Sequence, residues 1–470
     1  MKVTLAGFNA EAALLDEMRK RFGGAVTPEV ISAAYARISR DPRSVSALRE
    51  EARGSVEKAR KSNERIVFGL GHASVAEHAV VNLDITGLSR LAVEELERFR
   101  LASYTEKSQR YIRLGRDVVV PPEIRGAALD REFRSHVAGL HGAYEAAYRA
   151  IAASGEDTGT AKEDARYLMP LATATQLGMT VNARELEYVI RRLAGHPLRE
   201  LRDLSRKAFA ATGGLIPSLI RYAEPGPHSR EMPDAMREIA AMVPGSGGKR
   251  MPVGGSVRLV DATPEADTRL AASIIFSARG VSMREASAAA ARLGAKGRAR
   301  VVLGALKRLE RHDSVWREFE TVRFTFEIVL SASCYAQLKR HRIATLLPQP
   351  YDPKLGISVP ATFAGAKSVG ILRDAAKRAE RFFGSNRKEL GRAAEYALLN
   401  AHRRRVLFCL NLRELYHFSR LRSDMTAQWE IRTVSDEMCR LAAETAPYGA
   451  LLLGGKDGFE GKRSDLFPGT

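Results

Sequence analysis

Residues 98–111 read RFRLASYTEKSQRY, and residues 339–352, about 240 positions later, read KRHRIATLLPQPYD. Each stretch carries two arginines that flank a single residue, and each follows a segment of helical character in a turn-like setting. The first copy continues with Glu106, Ser108 and Arg110, whereas the second copy loses these polar groups. The chain therefore contains two copies of one anion-binding unit, each altered in a different place.

The surroundings of the two stretches recur in the same order. GHASVAEHA at 71–79 corresponds to RHDSVWREF at 311–319. Further along the chain, TVNARELEYVI at 180–190 corresponds to CLNLRELYHFS at 409–419. A repeat whose loop lengths have drifted explains this order better than chance does.

Segment 223–256 is rich in Gly, Pro and Ser and contains one short helical patch, so it is predicted to be a linker. It separates a first repeat at 1–222 from a second, degenerate repeat at 257–470. Each repeat is long enough to bury its own core. Alternating strand-like segments and long amphipathic stretches predict an α+β fold with short mixed sheets and long helices.

The charge of the chain suggests which partners it binds, and its cysteine content suggests the compartment in which it works. The chain has 74 Lys+Arg against 55 Asp+Glu, a formal net charge of +19. Such a field attracts nucleotides, phosphorylated cofactors or nucleic acid, although a solvated basic surface explains it equally well. The three cysteines lack metal-ligand or disulfide spacing, which favours a reduced, cytoplasmic protein. No apolar run approaches the ~18 residues of a membrane span, so no membrane partner is expected.

The residue types of the first copy suit phosphate recognition. Guanidinium groups are planar, always charged and able to bind phosphate in a bidentate manner. Ser108 can donate a hydroxyl hydrogen bond to the same phosphate oxygens. Glu106 can instead accept from a base edge or a ribose hydroxyl. Several arginines without an acid–base pair favour binding and charge stabilisation over hydrolysis. His72 and His78 have no third ligand at useful spacing, so no metal is expected.

The two halves resemble the flavin-dependent thymidylate synthase family, whose signature is RHRxxSxNExSxRY. The first copy departs from it at Phe99 and Thr105, and the second keeps Arg340, His341 and Arg342. The resemblance implies two tandem repeats of that family's fold. It also implies FAD as cofactor, NADPH and methylenetetrahydrofolate as co-substrates, and reductive methylation of deoxyuridylate as the reaction.

The resemblance assigns roles residue by residue. It makes the catalytic candidates Arg422, Arg110 and Ser108. It assigns substrate binding to Glu106, Ser108, Arg110, Arg166, Gln337 and Arg422. It assigns cofactor binding to His72, Ser74, Glu77, Arg98, Arg100, Arg340, His341, Arg342, Asn411, Arg413 and His417.

The losses in the two copies are complementary. The first-copy residues Glu106, Ser108, Arg110 and Arg166 correspond in the second copy to Pro348, Pro350, Asp352 and Glu395. Conversely, Gln337 corresponds to Glu95 in the first copy. This predicts composite sites between repeats, some active and some inactive. Family members are homotetramers, so the resemblance also implies a homodimer of this chain that rebuilds four units.

Two other functions remain open at this stage. One is flavin-dependent modification of another pyrimidine, including one carried within nucleic acid. The other is a non-catalytic descendant that binds nucleotides or nucleic acid.

Overall fold

The computed structural model describes residues 9–22, 26–38, 41–124, 129–221, 224–243 and 257–468. The helices of the first repeat and of the segment after it are α1 Ala12–Phe22, α2 Glu29–Arg37, α3 Val45–Gly54, α4 Val56–Glu64, α5 Arg90–Leu96, α6 Leu129–Ala153, α7 Thr158–Ala165, α8 Ala183–Ala194, α9 Arg199–Thr212 and α10 Pro227–Met242. Those of the second repeat are α11 Ala266–Arg279, α12 Met283–Arg292, α13 Gly294–Leu306, α14 Ala332–Leu338, α15 Ala361–Gly365, α16 Val369–Leu390, α17 Leu412–Arg422, α18 Trp429–Thr445 and α19 Phe459–Leu466. The strands are β1 Val80–Ser89, β2 Ala102–Glu106, β3 Ala174–Asn182, β4 Val257–Ala262, β5 Arg323–Ser331, β6 Thr345–Pro348 and β7 Arg403–Asn411.

Each repeat is built on one small sheet, in the order β1–β3–β2 in the first repeat and β4–β5–β7–β6 in the second. The α+β fold with two repeats is therefore confirmed. The strand pairs of both sheets are antiparallel, so the prediction of mixed sheets was wrong. Alternation of apolar and polar residues identifies a strand but carries no information about the direction of its neighbour.

The stretch that reveals the repeat has turns at both ends and a strand between them. Ala102 to Glu106 form the edge strand β2, not the turn-like segment predicted from the sequence. Ala102 is buried and Tyr104 is half-buried on the same face, while the residues between them are exposed. This period-two pattern outweighs the polar character of the motif.

The same local signal ends the central strand of each sheet. Asn182 closes β3, and its side chain accepts a hydrogen bond from Glu185 N (2.9 Å). Asn411 closes β7 and accepts from Glu414 N (2.8 Å) in the same way. Both asparagines are therefore N-caps that convert a strand into the helix that follows, α8 or α17. The predicted cofactor residue Asn411 thus has a structural role in positioning α17.

The two repeats join through reciprocal backbone hydrogen bonds. Leu171 N donates to the carbonyl of Leu398 (2.8 Å), and the corresponding Asn400 N donates to the carbonyl of Met169 (2.8 Å). Such exchange of equivalent contacts is the mark of a two-fold interface, here formed inside one chain.

Two tyrosines cross this junction in opposite directions. Tyr167 donates its hydroxyl to Glu430 (2.7 Å), and Tyr396 donates to Glu200 (2.6 Å). Each glutamate also accepts from the serine that begins α14 or α5 in its own repeat. The junction therefore fixes the two central helices, α5 and α14, relative to one another.

The larger hydrophobic core belongs to both repeats. It contains the core residues of the first repeat together with α16 and residues 393–401 of the second. Phe133 of α6 packs against Phe382 of α16, with ring centroids 5.7 Å apart. The prediction that each repeat buries a core of its own therefore holds for the second repeat. In the first repeat it holds only for a small cluster of Val30, Ala33, Ala52 and Ala59.

The part of the predicted linker that the structure describes, 224–243, contains the sixteen-residue helix α10 in place of a short helical patch. Met232 of this helix approaches the guanidinium of Arg192 (3.7 Å). The remaining linker positions 223 and 244–256 lie outside the described residues. Within the described ranges, no helix is both long and apolar enough to cross a bilayer.

Candidate active site

Arginines from both repeats converge on one side of the junction. Arg110 Nη2 donates to the carbonyl of Thr426 (3.0 Å), which lies four residues beyond Arg422. Arg422 Nη2 donates to the carbonyl of Gln337 (3.3 Å). Ser108 Oγ accepts from Arg110 N (3.1 Å), so the hydroxyl lies beside this arginine. The sequence pattern placed these groups on separate repeats, and the fold brings them together.

Arg166 completes this group, and its environment is unusual for a buried cation. The residue is 4% exposed, and none of the described residues accepts a hydrogen bond from its Nε or Nη2. Burial lowers the pKa of Arg166, and Arg110 acts in the same direction. Glu163 acts in the opposite direction, but its ion pair is with Arg110 (2.5 Å). Among the residues that the structure describes, Arg166 itself therefore has no carboxylate partner at hydrogen-bond distance, an environment that suits an anionic ligand.

Gln337 adds further polar atoms without partners. Its side chain is buried, and within the described part of the chain neither its amide oxygen nor its amide nitrogen has a hydrogen-bond partner. We call the group formed by Ser108, Arg110, Arg166, Gln337 and Arg422 the cationic site. It offers both donors for a phosphate and an amide that can pair with a base edge.

Arg422 is held by a neutral histidine. Its Nε donates to Nε2 of His341 at 3.0 Å. Burial lowers the pKa of His341 well below its usual value, and Arg422 acts in the same direction, so the imidazole is neutral. Burial also lowers the pKa of Arg422 to about 10, reinforced by Arg340 and Arg110, which leaves it charged at neutral pH.

One candidate metal site is the cluster of His341, Glu414 and His417, whose ligand atoms lie within 4.8 Å of one another. Because Nε2 of His341 accepts from Arg422, the proton lies on Nδ1, and Nδ1 faces Glu414 (3.3 Å). A protonated Nδ1 has no lone pair for a cation. The arrangement therefore suits orientation of Arg422 and not metal binding.

On the other side of the junction, the charged side chains at the corresponding positions neutralise one another. Arg392 pairs with Glu95 (3.0 Å) and with Glu395 (3.2 Å), and Arg98 pairs with Glu95 (2.7 Å). We call these four residues the paired site. Burial favours a raised pKa for Glu95, but Arg392 and Arg98 outweigh it and hold the pKa well below its usual range. The predicted cofactor residue Arg98 is thus part of an ion-pair cluster.

The paired site is also filled by a second buried cluster. Arg404 donates to Glu94 (2.8 Å), and the Tyr351 hydroxyl donates to the same carboxylate (2.8 Å). The Arg404 guanidinium lies 4.4 Å from the centre of the Tyr351 ring. On the side of the cationic site, the corresponding residues are Ala336, Gln109 and Thr175. The two sides of the junction are therefore chemically different.

Glu106 was predicted to contact the substrate, but its side chain is directed inward. The side chain is 2% exposed, forms an ion pair with Arg90, and lies 3.9 Å from Lys339 Nζ. Burial favours a raised pKa for Glu106, but Arg90 and Lys339 outweigh it and lower the pKa to about 2. Arg90 lies in α5, outside the arginine-serine stretch, so no motif in the sequence pointed to it.

The predicted cofactor residues form more than one group. Arg340 and Arg100 are exposed. Arg342 donates from its side chain to the carbonyl of Arg100 (3.2 Å) and from its backbone N to the carbonyl of Arg340 (3.1 Å), so the three arginines are neighbours. His417 is exposed at the end of the cluster around His341.

The remaining predicted cofactor residues lie elsewhere. His72 and Ser74 are exposed near a 3-10 segment of the first repeat, in which Glu77 pairs with Arg184. Arg413 donates to the carbonyl of Val315 (2.9 Å) and pairs with Glu320 (3.2 Å), contacts that fix a loop of the second repeat.

Comparison with known proteins identifies the repeats. Residues 24–218 and 258–448 each match the family described as thymidylate synthase complementing protein. A UPF0159 protein of Thermoplasma acidophilum is 24% identical over 464 residues, which cover 86% of this chain and 90% of the relative. A UPF0159 protein of Chlamydia pneumoniae is 26% identical over 426 residues, which cover 83% and 80% respectively. A flavin-dependent thymidylate synthase of Geobacter sulfurreducens is 34% identical over 203 residues, which cover 42% of this chain and 83% of the relative.

The chain therefore belongs to the thymidylate synthase complementing protein family and carries one family unit in each half. This confirms the tandem duplication predicted from the arginine stretches.

Proposed function

We propose that this chain is a flavin-dependent enzyme that methylates deoxyuridylate to thymidylate at the cationic site. The observation that carries this proposal is the buried, unpaired guanidinium of Arg166 beside Ser108 and Arg110. A nucleotide phosphate supplies the missing counter-charge and accepts charge-assisted hydrogen bonds from these donors.

The pyrimidine ring is assigned to the part of the site that contains Gln337 and Arg422. Arg422 is fixed by His341 and remains charged, so it can stabilise negative charge that develops on the ring carbonyl when C5 accepts a carbon unit. Burial raises the pKa of the nearby Cys334 thiol well above its usual value. This thiol is therefore a poor nucleophile, and electrostatic activation of the ring fits the site better than covalent activation by cysteine.

FAD fits the face formed by Arg100, Arg340 and Arg342, because exposed guanidinium groups suit its pyrophosphate. When bound, FAD supplies the hydride, with NADPH as the reductant and methylenetetrahydrofolate as the one-carbon donor. The arginines bind and orient the cofactor next to the substrate held by the cationic site.

The paired site is proposed to be inactive, since Arg392 already satisfies both of its carboxylates. Each chain then has one active site, and a homodimer has two. The homodimer follows from the family's four-unit assembly, and sedimentation of the purified chain tests it directly.

Turnover by purified protein tests the function. The protein is loaded with FAD, and NADPH oxidation and thymidylate formation are measured with deoxyuridylate and methylenetetrahydrofolate. We expect thymidylate to form and Arg166→Gln to abolish it, while Arg134→Gln, which removes an exposed ion pair on α6, leaves turnover unchanged. Protein that binds FAD yet forms no thymidylate would overturn the proposal.

A further inference from the structure

Arg90 is a buried guanidinium that contributes to the charge around the cationic site. It begins α5, is 4% exposed, and forms an ion pair with Glu106. Its Nε has no hydrogen-bond partner among the residues that the structure describes. Its positive charge acts electrostatically on Arg166. The carboxylate of Glu106 therefore satisfies only part of the Arg90 side chain.

This ion pair occurs on one side of the junction alone. The residue that begins the corresponding helix α14 is Ala332, and the position that corresponds to Glu106 is Pro348. A pair needed only to stabilise the fold of one repeat would be equally useful in both repeats. Arg90 and Glu106 instead accompany Arg166, and they have no counterpart next to the paired site.

Other donors near Arg90 also lack acceptors. The amide nitrogen of Gln109 and the hydroxyl of Thr175 have no hydrogen-bond partner within the described ranges. Gln109 lies next to Arg110 in sequence, and its amide oxygen accepts from Asn400 (3.0 Å), which also donates to the Arg166 carbonyl (3.0 Å). The carboxylates of Glu94 and Glu97 also act on Arg90. An anion can nevertheless satisfy the unpaired donors of Arg90, Gln109 and Thr175.

We propose that Arg90 is a further phosphate-binding residue of the cationic site and that Glu106 positions it. The identity of the nucleotide rests on the proposed function, whereas the affinity for phosphate does not. In this arrangement, Glu106 holds one end of the guanidinium and leaves Nε directed to the anion. Glu106 then acts through Arg90 without touching the nucleotide.

Two variants test this role, Arg90→Gln and Glu106→Gln. Inorganic phosphate and deoxyuridylate are titrated calorimetrically into each protein, with deoxyuridine as the ligand that lacks the phosphate. Loss of a charge-assisted hydrogen bond predicts about tenfold weaker binding of phosphate and deoxyuridylate by Arg90→Gln, with deoxyuridine binding unchanged. Because Glu106 holds the Arg90 guanidinium in place, Glu106→Gln is expected to weaken binding of phosphate and deoxyuridylate as well, by less than Arg90→Gln does, and to leave deoxyuridine binding unchanged.

The outcomes separate this inference from the proposed function. Wild-type affinity for phosphate in Arg90→Gln would overturn it, and so would weaker deoxyuridine binding by Glu106→Gln, because that result makes Glu106 a contact of the nucleoside. If Arg90→Gln does not fold, Glu106→Gln decides alone. Phosphate binding that depends on Arg90 in a protein that forms no thymidylate would support the inference and refute the proposed reaction.

Discussion

Replacement by methionine should affect the free energy of unfolding differently at two buried arginines. Arg166 and Arg404 are 4% and 2% exposed, but only Arg404 has a carboxylate, Glu94, at 2.8 Å. Arg166→Met removes a desolvated charge that has no hydrogen-bonded carboxylate in the described part of the chain, since the nearby Glu163 is paired with Arg110. The free energy of unfolding is therefore expected to stay unchanged or to rise by about 1–3 kcal/mol. Arg404→Met leaves Glu94 buried and without its cation, which costs about 3–5 kcal/mol.

Urea denaturation of the two variants and the wild type, followed by circular dichroism, measures this difference. The titrations are repeated with phosphate at about 100 times its dissociation constant, which should stabilise the wild type by about 2.7 kcal/mol. Arg166→Met should show none of this stabilisation, and Arg404→Met should keep it. A loss of stability in Arg166→Met as large as that in Arg404→Met would refute the reasoning, because Arg166 would then be a structural cation.

Three further results are expected. Burial raises the pKa of Asp164 to about 6, so the folded state holds its proton more tightly than the unfolded state does. The free energy of unfolding should therefore fall by about 2 kcal/mol as pH rises from about 4 to 6. Denaturation of Asp164→Asn across that range should lack this slope. Tyr167→Phe and Tyr396→Phe should each lower the free energy of unfolding by about 1–3 kcal/mol, because each leaves a buried glutamate without one donor. Equal stability of wild type and variants in urea would contradict the described junction. His341→Leu should lower kcat more than His341→Gln, since only glutamine can accept the hydrogen bond from Arg422. Identical kcat values of the two variants in steady-state assays would exclude His341 as a positioning residue.

The sequence was sufficient to find the two units, because the second copy keeps its RHR triplet and both copies keep an asparagine that caps a helix after a strand. It also indicated that Arg110 and Arg422 act together, since each copy lacks what the other retains. Contacts between residues that are far apart in the sequence could not be predicted from it. His341 and Arg422 are 81 positions apart, and Arg392, which neutralises the paired site, lies in no recognisable motif. Only the fold shows that Glu106 faces Arg90 and that the first core includes α16.

Stoichiometry of substrate binding tests the central claim most directly. Deoxyuridylate is titrated calorimetrically into FAD-loaded protein of known chain concentration. One nucleotide per chain is predicted, since Arg166 of the cationic site has no carboxylate partner within the described ranges while Arg392 neutralises the paired site. Two nucleotides per chain, or none, would contradict the account.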